Sequence, residues 1–152
     1  MTNNPKSKLK FLPRLYVVFQ FAALFTIMLS GPIFTQSILL LFVQLFGVLL
    51  GMWAVLIMRI GNFNIVPIPV EKGHLVIKGP YSLIRHPMYT ALFLFVIPEI
   101  IEGFSYLRLV GLLVLLITLL FKLNYEEELL MIKYNKYKEY KKKTWRLIPF
   151  VY

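Results

Sequence analysis

At 152 residues with 59% of them hydrophobic, the chain is more apolar than a soluble domain of its size, which sits near ~50% and keeps a charged surface. Its formal charge of +10, from 17 Lys and Arg against 7 Asp and Glu, then reads as membrane topology plus attraction to anionic lipid headgroups. Nucleic-acid binding is not expected, because no soluble domain remains to carry it, and the absence of cysteine excludes disulfides, thiolate nucleophiles and Cys-ligated metals.

The basic start "MTNNPKSKLKFLPRLYVVFQF" resembles a leader, but its apolar run continues too far and lacks a small-residue cleavage site, so it reads as a retained first span. Residues 15–58 carry no charge over 44 positions and are broken by Ser30-Gly31-Pro32. A membrane helix uses about 20 residues, so this stretch predicts two helices, over 11–29 and 33–58, joined by a tight turn. The segment 59–86 has prolines at 67, 69, 80 and 87 bounding it, too many for a long helix, and "HLVIKGPY" reads as a short strand and turn or as an extended strap. His74 in this loop reads as solvated.

A third apolar helix is expected over 87–101. At about 1.5 Å per residue it covers roughly 22 Å, less than the ~30 Å hydrocarbon core, so it either thins the bilayer, packs inside the bundle or is re-entrant. The fourth run covers 106–123, and "NYEEELLMIKYNKYKEYKKKTW" continues it as a helix in the tail. At 100° per residue Leu123, Leu130, Tyr134 and Tyr137 share a stripe of roughly 60°, with Glu126 and Glu127 on its two edges and Glu128 pointing away.

The fold expected is therefore an all-α integral membrane domain of about four transmembrane helices, five if a span is split. Its parts are a hairpin (1–58), a loop (59–86), a second hairpin (87–123) and a C-terminal helix and tail (124–152). With a cytosolic N-terminus, residues 1–14, 59–86 and 122–152 share one side and hold 4, 4 and 8 of the 17 Lys and Arg, leaving only Arg108 outside. That positive-inside bias predicts both termini in the cytosol, in a bacterial membrane before an endoplasmic reticulum.

Chemistry concentrates at "RHPMY". Pro87 at the first position of a helix starts it well and leaves the following amides open to an anion. Arg85 and His86 stand at that end, and Tyr89 lies on the same face as His86. The predicted hairpin brings Glu126 and Glu127 to the same membrane face. An acid there is costly without a partner, and Arg85 is the partner expected, although an ordinary interfacial ion pair would look the same.

"GPYSLIRHPMYTA", followed after one helical hairpin by "EEELL" and then "YKEYKKKTWRLIP", resembles the isoprenylcysteine carboxyl methyltransferase family and its relatives, the phospholipid methyltransferases. The resemblance covers roughly residues 70–150. It implies S-adenosylmethionine (SAM) as methyl donor, a lipophilic acceptor arriving through the bilayer, and no metal. It places Arg85 and Glu127 nearest the chemistry, with His86, Pro87, Tyr89, Glu126, Tyr81 and Tyr137 around the donor. Two positions depart from the family pattern. Ala91 stands where glycine is common, two residues after the motif tyrosine, and "KYN" replaces a longer Phe-Gly segment before the first tail tyrosine. In-line methyl transfer asks mainly for alignment and exclusion of water, which these residue types can provide. The acceptor expected is an isoprenylcysteine carboxylate, with a phospholipid amine or a small lipophilic thiol or amine as alternatives. A nicotinamide-dependent reductase of the related sterol reductase type and a non-catalytic basic membrane protein are the other readings.

Overall fold

The computed structural model describes residues 5–58, 62 and 64–152, with side chains from Phe11 onward. The first four residues of the expected N-terminal hairpin and positions 59–61 and 63 of the expected loop lie outside the described residues. Five α-helices follow in order: α1 (Pro5–Leu29), α2 (Ile38–Met58), α3 (Pro87–Glu102), α4 (Tyr106–Lys133) and α5 (Tyr137–Lys143). A single 3-10 turn, Gly79–Ser82, precedes α3, and no strand occurs among the described residues. The "HLVIKGPY" segment is thus an extended strap ending in that turn.

Helices α1 to α4 run alternately up and down. α1 packs along α4 and α2 along α3, and the core at their junction is Ala23 and Ile27 of α1, Val96 and Ile100 of α3, and Leu115 and Leu119 of α4. Among the described residues three helices, Phe11–Leu29 of α1, α2 and α4, are long and apolar enough to cross a membrane. Many of their outward side chains are exposed large hydrophobics, among them Phe25, Phe42, Leu56 and Ile117. α3, with 16 residues, covers about 24 Å. It nevertheless runs between the same two ends as its neighbours, since its first turn meets the last turns of α4 and its last turn meets the α1–α2 turn.

Two boundaries differ from expectation. α2 begins at Ile38, not at residue 33, because the intervening amides are held by side chains. Gln44 Oε1 accepts from the Thr35 N–H at 3.0 Å, and the Glu102 carboxylate accepts from the Gln36 and Ser37 N–H groups at 2.7 and 3.2 Å. An acid from the end of α3 therefore caps the positive end of α2. The tail helix does not continue unbroken: α4 stops at Lys133 and residues 134–136 form a turn before α5. This break falls on "KYN", where the family pattern is also left, so Tyr134 and Tyr137 no longer share a single helical stripe.

Arg108, the one cation outside the positive-inside set, is fully buried at the other end. Its guanidinium donates to the carbonyls of Glu99 (2.6 Å), Gly103 (3.2 Å) and Pro32 (2.9 Å), tying both inter-helix turns together. A Cβ at Gly31 or Gly103 would lie 2.6 Å from this guanidinium, which explains glycine at both turns. Arg108→Met would take the guanidinium from the Gly103 and Pro32 carbonyls, at about 1–3 kcal/mol for a buried group left unsatisfied, while Glu99 O would keep the Gly103 N–H. A clear drop in thermal unfolding temperature in detergent is the expected result.

Ala91 also finds its reason in packing. Its Cβ faces Gly51 of α2, where an added Cβ would come within 3.3 Å of it, and Gly47 one turn earlier would meet Leu94 at 2.9 Å. The small residues that let α2 and α3 approach sit on α2, so α3 can carry alanine.

Candidate functional site

The site lies where the start of α3, the end of α4 and the C-terminal tail converge. The tail after α5 is strapped onto the motif by backbone bonds. Arg85 N–H donates to Trp145 O (2.8 Å), His86 N–H to Arg146 O (3.1 Å) and Trp145 N–H to Leu83 O (3.1 Å), and Thr90 Oγ1 donates to Leu147 O at 2.8 Å. Ile84 and Trp145 form an isolated parallel bridge.

Glu127 is the hub of this closure. Its buried carboxylate accepts from Arg85 Nε at 2.7 Å, and Lys141 Nζ and Arg146 Nη2 stand 3.0 and 3.2 Å from its other oxygen. His86 Nε2 lies 3.4 Å away. Arg85 completes its shell on the tail, donating through Nη1 to the carbonyl oxygens of Thr144 and Lys141. The two residues expected nearest the chemistry thus form a buried ion pair that anchors the tail. Arg85 reaches the cavity beside it, whereas Glu127 does not line that cavity.

Glu126, its neighbour, faces the cavity and is partly exposed, with a 27% accessible side chain. It accepts from Tyr89 Oη at 2.7 Å, and His86 Nδ1 is 3.7 Å away. The rings of His86 and Tyr89 stack parallel, 5.3 Å between centroids, so the i, i+3 placement expected from the sequence is realised. The amides after Pro87 are less open than expected: those of Tyr89 and Thr90 already donate to His86 O at 3.0 and 3.1 Å. The anion-receptive end narrows to the Met88 N–H.

Three tyrosines close the polar end. Tyr140 Oη donates to Tyr81 O at 2.7 Å, while Tyr137 Oη is buried without a partner and lines the cavity. Burial pushes the hydroxyls of Tyr81, Tyr137 and Tyr140 well above the usual tyrosine range, so all three remain protonated donors at neutral pH. An orphaned buried donor calls for an acceptor atom from a ligand.

The cavity measures about 480 Å³ and includes Arg85, His86, Pro87, Tyr89, Glu126, Tyr81 and Tyr137 in its lining. From this polar end it extends between α1 and α2 along Leu24, Val48, Val55, Leu92 and Phe95. Asn62 and the segment 64–76, which includes His74, form another wall. Asn62 exchanges two 3.0 Å hydrogen bonds with the His74 backbone, and Lys133 Nζ donates to the carbonyls of Val70 and Glu71. One acid facing the cavity, one orphaned hydroxyl and one free amide suit a zwitterion, and the apolar extension suits a hydrocarbon chain.

Sequence reasoning missed Lys141, Arg146 and Thr144, whose arrival at Arg85 and Glu127 depends on the turn at 134–136. It also left Gln20 and Lys122 unassigned. Lys122 carried a readable signal, since it lies four residues before Glu126 on one helix face.

A family model described as phospholipid methyltransferase matches residues 33–137, 105 of the 152, spanning α2, α3, α4 and the start of α5. No curated protein matches the chain.

Proposed function

The chain belongs to the phospholipid methyltransferase family, and on that premise we propose that it is an integral-membrane enzyme transferring a methyl group from SAM to a lipophilic acceptor such as an isoprenylcysteine carboxylate. The supporting observation is one cavity with two chemistries: a polar end built for a zwitterion and an apolar extension between α1 and α2. Its volume falls within the ~300–1,000 Å³ typical of ligand sites.

When bound, SAM supplies an electrophilic methyl: an acceptor oxygen lone pair forms the new C–O bond as the C–S bond breaks, and its electron pair neutralises the sulfonium. Glu126, the acid in the cavity lining, would hold the donor's ammonium, and the unpartnered Tyr137 hydroxyl with the Met88 N–H would hold its carboxylate. The stacked His86 and Tyr89 rings form the wall beside it. Arg85 and Glu127 close the tail over the polar end and exclude water, and Arg85 also reaches the lining where an acceptor carboxylate would lie. Tyr81 anchors α5 through Tyr140. A carboxylate acceptor loses no proton. The positive-inside bias and a water-soluble donor both support a polar end that faces the cytosol.

The family description favours a second reading, N-methylation of a phospholipid amine, in which the acceptor must lose a proton and Glu126 is the acid in reach of the cavity. Calorimetric titration of the detergent-purified protein tests the common core. Heat of binding with SAM and none with NADPH is expected; the reverse identifies a reductase, and no heat with either counts against an enzyme. Mass spectrometry of lipid extracts incubated with isotopically labelled SAM then identifies the acceptor.

A further inference from the structure

Lys122 lies on α4 one turn before Glu126, and only 2% of it is exposed. Its Nζ donates to Gln20 Oε1 of α1 at 2.7 Å and stands 5.3 Å over the centroid of the Tyr89 ring. Gln20 is buried as well, and both residues line the cavity between its polar end and the apolar wall of Leu24, Leu92 and Phe95.

Holding α1 to α4 does not require this pair. Ala23, Ile27, Leu115 and Leu119 already pack that interface, and a buried lysine among apolar helices costs stability. An ammonium has three N–H donors. Gln20 takes one, and the face of Tyr89 offers a cation–π contact without consuming an N–H. Donor capacity is left over at the border where an amphiphile lying along Leu24, Leu92 and Phe95 would bring its headgroup.

We infer that Lys122, held by Gln20 and Tyr89, reads the charge of the acceptor: it binds an anionic oxygen at the end of a lipophilic chain and turns away a purely cationic amphiphile. This rests on the methyltransferase reading for its meaning but not for its measurement. Two headgroups present the required oxygen, the carboxylate of a prenylcysteine and the phosphodiester of a phospholipid.

The test measures binding to the full chain in detergent, at neutral pH, of two probes that share a farnesyl thioether chain and end in a carboxylate or in a primary amine. Phosphatidylethanolamine serves as a third ligand, and the Kd for SAM is measured in parallel. The parent should bind the carboxylate at least about 10-fold tighter than the amine, the size of one charge-assisted hydrogen bond. Lys122→Met should erase that ratio and leave the SAM Kd within about 2-fold, and Lys122→Arg should keep the ratio; should the methionine variant fail to fold, Lys122→Gln reads the same ratio. An equal loss of phosphatidylethanolamine affinity makes the phosphodiester a ligand of the same site, and an unchanged one assigns the site to the carboxylate. A parent that separates the probes but binds no SAM sinks the methyltransferase reading and leaves the anion site standing. Normal SAM binding with no discrimination, or a ratio that survives Lys122→Met or Lys122→Gln, overturns the role of Lys122.

Discussion

Glu127→Ala is expected to lose methyl transfer entirely and to destabilise the protein by about 3–5 kcal/mol, the cost of removing one partner from a buried ion pair. The side chain of Glu127 is 2% exposed and is shared by Arg85, Lys141 and Arg146. Without it the Arg85 side chain, 6% exposed, keeps its buried charge with only neutral partners, the carbonyls of Lys141 and Thr144 and the Thr144 hydroxyl. The strap 144–147 then loses its anchor, and the polar end opens to water. Thermal unfolding in detergent together with a SAM titration checks both halves. Glu128 is the control: it is exposed on α4, and Glu128→Ala should stay within about 0.5 kcal/mol of the parent with activity intact. A Glu127→Ala protein as stable and as active as Glu128→Ala would refute the anchoring role.

Glu126→Gln should behave oppositely, cutting affinity for SAM with the fold preserved. The amide oxygen of glutamine can still accept from Tyr89 Oη, so the 2.7 Å contact and the start of α3 survive. What disappears is the negative charge facing the cavity. A hydrogen bond to a charged group contributes about 1.5–3 kcal/mol, or about 10- to 150-fold in Kd. The partial exposure of this carboxylate puts the expected loss at the lower end, near 10-fold. Calorimetry reads the affinity and the unfolding temperature reads the fold. Unaltered SAM binding in Glu126→Gln would mean that the donor's ammonium is held elsewhere.

The contrast between these two adjacent glutamates marks how far the sequence could be read. Periodicity put both on the edges of one apolar stripe but did not separate the acid locked behind the wall from the acid facing the cavity. That division depends on Lys141 and Arg146, which approach Glu127 because the chain turns at 134–136 and folds back along residues 83–86. The α2 start was misjudged for a similar reason. Hydropathy cannot register that Gln44 and Glu102 hold the amides of residues 35–37 in a loop.

The sequence by itself determined the class of protein, the alternation of apolar helices, and the meeting of Arg85, His86 and Tyr89 with the Glu126–Glu127 pair at one end of the bundle. Those features follow from burial of apolar surface and from chain connectivity, which leave a local and periodic trace. Only the tertiary structure decided which acid faces the cavity, that the Tyr137 hydroxyl is buried there without a partner, and that Lys122 and Gln20, 102 residues apart, meet at its apolar border. These are polar contacts between distant segments, set by side-chain geometry across helix interfaces, and such contacts leave no periodic mark in the chain.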